Sequence, residues 1–219
     1  MAGINDAGGA SRVAAAIIAG GRASRLGGAI KPLLLVDGRR IIDRQLDVLA
    51  PLFPALVLVV ADAESRDQFR ALALAGRPGV DVISDRPGRG LGPLAGIDAA
   101  LAWLPAGFDS VVCLGGDMPH LAPSLLAHLR DADRAAVAVV PRWSGGLEPL
   151  CARYGRALGP HVSAALAAGT RALHQFVEET AATSDVTFVE EPSLRELDPD
   201  LRSFANVNTA DDLSTMRPA

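Results

Sequence analysis

Short, unbroken apolar runs alternate along the chain with stretches whose apolar positions recur every three or four residues. Residues 13–19 read as a buried first strand, stopped by Gly20-Gly21. After a polar, glycine-rich stretch, Ile41, Ile42, Gln45, Leu46 and Leu49 fall at helical spacing, and Pro51 and Pro54 end that helix. Residues 56–60 predict a second strand, 64–74 a helix, 80–83 a short strand, and 93–104 a helix with Pro93 in its first turn. Residues 110–114 form another continuous apolar run. Runs of this kind, rather than strict alternation, are what a parallel sheet covered on both faces requires.

Farther along, the pattern loosens. Residues 135–140 and 148–154 read as strands flanking Ser144-Gly145-Gly146, 157–168 and 172–179 as helices, and 186–189 as a late strand. Thr209 is placed to cap a last helix with Asp211 and Asp212 in its first turn. No internal repeat or linker interrupts the chain, so one domain is expected over 1–219, with the polar segment 1–12 as a flexible N-terminal extension. The strand–helix alternation predicts an α/β fold with a doubly wound, mostly parallel sheet and an irregular C-terminal half. In that class ligands bind at the carboxyl ends of the strands, so the loops after the strands are where chemistry is expected.

Composition narrows the partners. With 49% hydrophobic but only 4% aromatic residues, the core must be built from Ala, Val, Leu and Ile. A net charge of −4 offers no broad cationic surface for nucleic acid or an anionic membrane, though a local cationic pocket for a small polyanion stays open. No apolar stretch approaches the ~18 residues of a membrane span, and a cytoplasmic protein is expected. Cys113 and Cys151 belong to no Cys-x-x-Cys pair and are expected to pack as small hydrophobes. His120, His128, His161 and His174 show no metal-ligand spacing.

The segment 17–31 follows the first strand directly and holds Gly20, Gly21, Gly27 and Gly28 with Arg22, Arg25 and Lys31. Glycines let backbone N–H groups approach an anion, and cations at the far end neutralise it. The spacing matches neither the P-loop nor the dinucleotide fingerprint G-x-G-x-x-G. A glycine-rich loop alone is equally a solvated surface turn. The lysine changes the balance: of 21 Lys and Arg residues, Lys31 is the single lysine. In a chain so biased to Arg, that choice points to a compact point charge on phosphate.

The stretch Ala19-Gly-Gly-x-x-x-Arg25-Leu-Gly-x-x-x-Lys31 resembles the signature loop of nucleotidyltransferases that move a nucleoside monophosphate onto a phosphorylated acceptor. Within that superfamily the chain looks most like the MobA-type molybdenum cofactor guanylyltransferases. Gly92-Pro-Leu-Ala-Gly-Ile97, Gly116-Asp-Met-Pro-His120, Glu148-Pro-Leu-Cys-Ala152 and Asn206-Val-Asn-Thr209 resemble four further motifs of that family, in the expected order. Ile18 and Leu26 replace the commoner Leu and Met, no acid precedes Lys31, Asp62 falls where a polar residue is frequent, and Glu148 stands where His is frequent. Related cytidylyltransferases usually begin Ala-Ala-Gly and carry a serine-rich segment in place of Gly-Pro-Leu-Ala-Gly, which favours guanine here.

The resemblance implies a Rossmann-like three-layer α/β/α sandwich with a mostly parallel central sheet. It implies transfer of GMP from Mg-GTP to the phosphate of the molybdopterin cofactor, releasing pyrophosphate. GTP would be held by Ile18, Ala19, Gly20, Gly21, Arg25, Lys31, Asp85, Gly92, Pro93 and Asp117. Arg25, Lys31 and Asp117 would act on the reacting phosphates, Asp117 would hold Mg²⁺, and Asn206 or Asn208 would complete the metal or acceptor site. Proteins that deliver the cofactor or mature molybdoenzymes are conceivable partners. Three alternatives stay open: a cytidylyltransferase, a sugar-phosphate nucleotidyltransferase of the same fold, or a nucleotide-binding module without catalysis.

Overall fold

The computed structural model describes residues 12–20, 22–23, 29–72, 79–85, 92–208 and 212. In chain order it forms β1 (Arg12–Ile18), β2 (Arg22–Ala23), β3 (Ala29–Ile30), β4 (Leu35–Val36), β5 (Arg39–Arg40), α1 (Ile41–Leu49) and β6 (Leu56–Val60). Next come α2 (Ala63–Leu72), β7 (Val80–Ser84), α3 (Pro93–Trp103), β8 (Phe108–Gly115) and α4 (Pro123–Asp131). Then follow β9 (Ala138–Trp143), β10 (Gly146–Leu147), β11 (Cys151–Gly155), α5 (Gly159–Ala167), α6 (Leu173–Ala181), β12 (Val186–Glu190) and α7 (Glu191–Leu197).

The large sheet runs in the order β10-β9-β11-β8-β1-β6-β7, with β12 also paired to β9. β1 lies between β6 and β8 and is parallel to both, and β7 continues in parallel beside β6. β11 runs antiparallel to β8 and β9, while β12 is parallel to β9. The chain therefore extends one way from β1 to β6 and β7, then crosses back to lay β8 on β1's other flank. That reversal opens a crevice at the carboxyl end of β1.

Alternation along β1 explains the three layers. Val13, Ala15 and Ile17 pack in one core with Ile42, Leu46 and Leu49 of α1, Leu125 and Leu129 of α4, and Leu194 of α7. Ala14, Ala16 and Ile18 face the other way, against Leu94, Ile97 and Leu101 of α3, Val162 of α5 and Phe176 of α6. A period of two on a strand buried on both sides divides its side chains between two cores. Small side chains on β1 let the helices come close. The expected mostly parallel α/β/α sandwich is the observed fold.

Several boundaries differ from the sequence reading, each for a local reason. Arg12 opens β1 rather than closing a flexible extension, and residues 1–11 lie outside the described residues, as do Thr209 and Asp211 of the expected last helix. The strand expected at 148–154 begins only at Cys151. Pro149 has no N–H for a ladder, and the Cys151 N–H turns back to the Glu148 carbonyl at 3.0 Å. The strand expected at 135–140 starts at Ala138, because the Asp133 carboxylate accepts from the N–H groups of Ala135 and Ala136 and holds a turn. Helices α4 and α7 had no counterpart in the sequence reading. Cys113 and Cys151 are buried and unpaired, as expected. No helix among the described residues is long and apolar enough to cross a membrane.

The packing of α3 on β1 is tight enough to test. A Cβ added at Gly96 would stand 2.5 Å from Cγ2 of Ile18. Overpacking of this kind costs about 1–3 kcal/mol, against a helix-propensity gain of roughly 1 kcal/mol for Ala over Gly. Gly96→Ala is expected to lower the urea midpoint of unfolding. An unchanged or higher midpoint would show slack between α3 and β1.

Candidate active site

The parallel strands all end on one side, and their carboxyl ends surround a cavity of about 570 Å³. β1 contributes Ile18 and, past its end, Ala19 and Gly20. From β6 come Val59 and the following Ala61 and Asp62, and Asp85 stands just after β7. β8 contributes Gly115, then Gly116 and Asp117. Gly92, Pro93 and Gly96 of the α3 end, with Lys31 and Pro32, close the wall. Gly92 has φ of 75°, a left-handed conformation that admits the chain to the helix start at Pro93. Gly116 is needed for contact: an added Cβ would lie 2.8 Å from Cγ of Pro32 and 3.2 Å from the Ile18 carbonyl oxygen.

A charged cluster forms at one end of this cavity. The Lys31 ammonium donates to Asp117 Oδ2 and to Asn208 Oδ1, each at 2.7 Å. The Lys31 and Asp117 side chains are 19% and 21% exposed, so the pair is partly screened from water. Tertiary docking brings these three together from far apart in sequence. The Val207 N–H donates to the Asp117 carbonyl at 2.9 Å, and Val207 is itself buried with Val36 and Ile41. The Asn208 N–H donates to Asp212 Oδ2 at 2.7 Å, which holds the amide's backbone in place.

Toward the β6 and β7 side the cavity is acidic. Burial pushes the Asp85 carboxyl up to about 6, and the nearby charge of Asp62 adds to the shift. Asp62 Oδ1 accepts from the Ser65 N–H at 2.8 Å and so caps the start of α2. Ionised carboxylates only accept, so this end suits a ligand with N–H or O–H donors. Glu148 lies in the turn before β11. Burial raises its carboxyl above the usual range and the Asp117 charge reinforces that, while the Trp143 Nε1–H bond to Oε1 at 3.2 Å opposes it. The Trp143 ring in turn packs on Phe204, with centroids 5.6 Å apart.

Of the residues singled out in the sequence, Ile18, Ala19, Gly20, Lys31, Asp85, Gly92, Pro93 and Asp117 line this one cavity. Asn208 joins it through Lys31. Asn206 makes no such contact: its Oδ1 is buried without a hydrogen-bond partner among the described residues. Gly21 and the Arg25 side chain lie outside the described residues. Among the described residues no three of His, Cys, Asp and Glu gather as a metal cluster. Sequence reasoning passed over Pro32 and Gln45. Gln45 counted there only as a member of the α1 stripe, yet it is 1% exposed and its Nε2 donates to the carbonyls of Gly115 and Met118. One polar residue inside an apolar helical stripe was the available signal.

Known proteins resemble this chain in both sequence and fold. The model for the MobA-like NTP transferase domain matches residues 15–186. A probable molybdenum cofactor guanylyltransferase of Methanosarcina mazei is 32% identical over 210 residues, 92% of this chain and 88% of that protein. The molybdenum cofactor guanylyltransferase of Desulfosudis oleivorans is 30% identical over 207 residues, 93% of each. The crystal structure of molybdopterin-guanine dinucleotide biosynthesis protein A from Archaeoglobus fulgidus superposes with a TM-score of 0.73 at 30% identity. That match covers 93% of this chain and 96% of the other.

The elevated Asp85 carboxyl has a consequence for stability. Between its ordinary range near 3.8 and about 6, the folded protein keeps the proton that the unfolded chain releases. Stability is therefore lost as pH rises through that window. Asp85→Asn, which cannot ionise, is expected to melt above the parent at pH 7.5, with the gap closing toward pH 4. Thermal melts across pH 4 to 8 measure this, and a gap independent of pH would contradict it.

Proposed function

The chain belongs to the MobA-like NTP transferase family, and from that premise we propose that it is a molybdenum cofactor guanylyltransferase. It transfers GMP from GTP to the phosphate of the molybdopterin cofactor and releases pyrophosphate. The observation that carries this reading is the convergence of Lys31, Asp117 and Asn208 at the carboxyl ends of β1 and β8. The glycine-rich lead from β1 supports it, as does an acidic far end that suits the donor edge of a base or a ribose.

The donor set fits a hard divalent cation. The Asp117 carboxylate and the Asn208 amide oxygen already face one cationic centre, the Lys31 ammonium, at 2.7 Å each. Mg²⁺ is commonly held by one or two protein oxygens, with water and substrate phosphates completing the shell. Asp117 and Asn208 would hold it, and when bound it supplies Lewis acidity at the α-phosphate.

The remaining work belongs to the chain. Backbone N–H groups of the Gly20-Gly21 loop are assigned to the phosphates. Lys31 places a single positive charge beside Asp117, where the leaving pyrophosphate gathers negative charge. Arg25 is assigned the same task. An oxygen of the acceptor phosphate forms a bond to the α-phosphorus as the α–β bridging P–O bond breaks. No general base is needed, because that acceptor is ionised at neutral pH. Positioning and charge neutralisation supply the rate. Asp85 and the Gly92-Pro93 wall contact the nucleoside. Proteins that deliver the cofactor or receive the product are the partners this chemistry calls for.

Nucleotide choice is the first test. Calorimetric titration with Mg²⁺ is expected to give GTP the tightest binding among GTP, CTP and ATP. Unpaired hydrogen-bonding groups can penalise a wrong base by powers of ten. Tighter binding of CTP would move the assignment to a cytidylyltransferase. Release of pyrophosphate from GTP only when molybdopterin is added distinguishes this reading from a sugar-phosphate enzyme and from a module without catalysis.

Lys31 gives the second. Both oxygen partners lie 2.7 Å from one nitrogen, a geometry suited to a compact ammonium and poorly matched by a planar guanidinium fork. Lys31→Arg is expected to fold yet lose most of its turnover, and Lys31→Ala to lose at least as much. Steady-state kinetics beside thermal melting measures both. Near-parental turnover in Lys31→Arg would show that any cation suffices.

A further inference from the structure

We propose that Gln45 is a positioning residue that fixes the Lys31–Asp117 pair, by tying α1 to the turn that presents Asp117. The inference rests on the reading of Lys31 and Asp117 as the charged centre of nucleotidyl transfer.

Gln45 sits in the buried stripe of α1 with Ile41, Ile42, Leu46 and Leu49, and it is the polar member. Its Nε2 donates to the Gly115 carbonyl at 2.7 Å and to the Met118 carbonyl at 3.1 Å. These carbonyls bracket Gly116-Asp117, so one carboxamide closes both ends of the turn. The carboxamide orientation is set by chemistry, since an oxygen in place of Nε2 would face two acceptors. Its Oε1 is buried with no partner among the described residues. An apolar residue in the stripe would avoid that unsatisfied acceptor. What glutamine supplies in exchange is the two donor bonds.

The turn needs them. Gly115 O also accepts a long, 3.4 Å bond from the Met118 N–H. Among the described residues, the other hydrogen bonds to this turn from outside it are the Lys31–Asp117 pair itself and three that run backbone to backbone. Gly115 N–H donates to Leu150, Gly116 N–H to Ile18, and Val207 N–H to Asp117. Gln45 is thus the side chain that joins the turn to α1.

Helix α1 also carries the lysine side of the pair. Lys31-Pro32-Leu33 forms a single 3₁₀ turn, and the Ile41 N–H at the head of α1 donates to the Leu34 carbonyl at 3.0 Å. Pro32 packs where a Cβ on Gly116 would fall, 2.8 Å from its Cγ. Besides the Lys31–Asp117 bond itself, the unit of α1 and the Lys31 segment meets the Asp117 turn along two contacts, one of shape at Pro32 and Gly116 and one of hydrogen bonding at Gln45. Losing the second lets the turn shift relative to the lysine while the apolar faces still pack.

The test compares Gln45→Met, which keeps length and burial without donors, with Leu46→Val, a destabilising change on the same buried stripe. Each is assayed for melting temperature, for kcat and KM with Mg-GTP and molybdopterin, and for binding of Mn²⁺ alone by electron paramagnetic resonance. Asp117→Asn serves as the reference for the metal. Misplacement of reacting groups by about 1 Å can cost up to roughly 100-fold in rate. Gln45→Met is therefore expected to lose about 10- to 100-fold in kcat, with KM for GTP within about threefold and Mn²⁺ bound more weakly. Leu46→Val is expected to melt lower with kcat and Mn²⁺ binding kept. If Gln45→Met does not fold, Gln45→Asn, whose amide is one methylene too short to reach both carbonyls, takes its place with the same expectation. If the Gln45 variant follows Leu46→Val in every readout while Asp117→Asn loses Mn²⁺, Gln45 only stabilises the fold and the proposal is overturned, the function standing. If Asp117→Asn binds Mn²⁺ like the parent, the reading of Asp117 fails and this inference falls with it.

Discussion

Parallel pairing of an alanine-rich strand with neighbours on both sides is the constraint from which the rest of this structure follows. With β6 and β8 both parallel to β1, the three chains end at one level, Ile18 opposite both Val59 and Gly115. Each must then leave the sheet on the same side, and the exits have to diverge because β6 and β8 are reached by crossovers in opposite directions. The cavity is the space left by that divergence. Small residues along β1 let helices seal both faces, which keeps the strand ends rigid enough to hold charges at hydrogen-bond distance.

Two electrostatic environments share that one cavity. Lys31, Asp117 and Asn208 form a compact polar knot at one end, while Asp62 and Asp85 make the other end acidic. An overall charge of −4 gives no hint of such an arrangement. It is local and depends on partial exclusion of water, since the same pair fully exposed would be worth little. On the proposed function a nucleotide would span this contrast, with its phosphates toward the cation and its donor-bearing base and sugar toward the carboxylates.

Around the knot, the supports come from every layer. The C-terminal segment reaches Asp117 through the Val207 N–H, and the hairpin side reaches Gly115 through the Leu150 carbonyl. Helix α1 reaches the same turn through Gln45. Glu148, in the turn before β11, held by Trp143 at the end of β9, brings a further carboxyl near Asp117. Residues distant in sequence thus converge on a four-residue turn. The turn itself owns few side chains that could hold it.

Hydrophobic patterning by itself determined the alternation of strands and helices in the first half, because a strand buried on both faces must be continuously apolar and a covering helix must carry a stripe. Val13 to Ile18, Leu56 to Val60 and the Ile42–Leu46–Leu49 stripe were legible for that reason, and the motifs of the family resemblance marked Gly20, Lys31, Asp85, Gly92 and Asp117 in the loops at the strands' carboxyl ends. The second half was less legible. Pro149 and the Asp133 turn shift where β11 and β9 begin, an effect of missing or diverted hydrogen bonds that apolar spacing does not record. Only the tertiary structure decided that Asn208 rather than Asn206 meets Lys31, and that Gln45 serves the Asp117 turn. Such contacts depend on which way a side chain faces once distant segments have docked, and that direction is set by packing rather than by residue type.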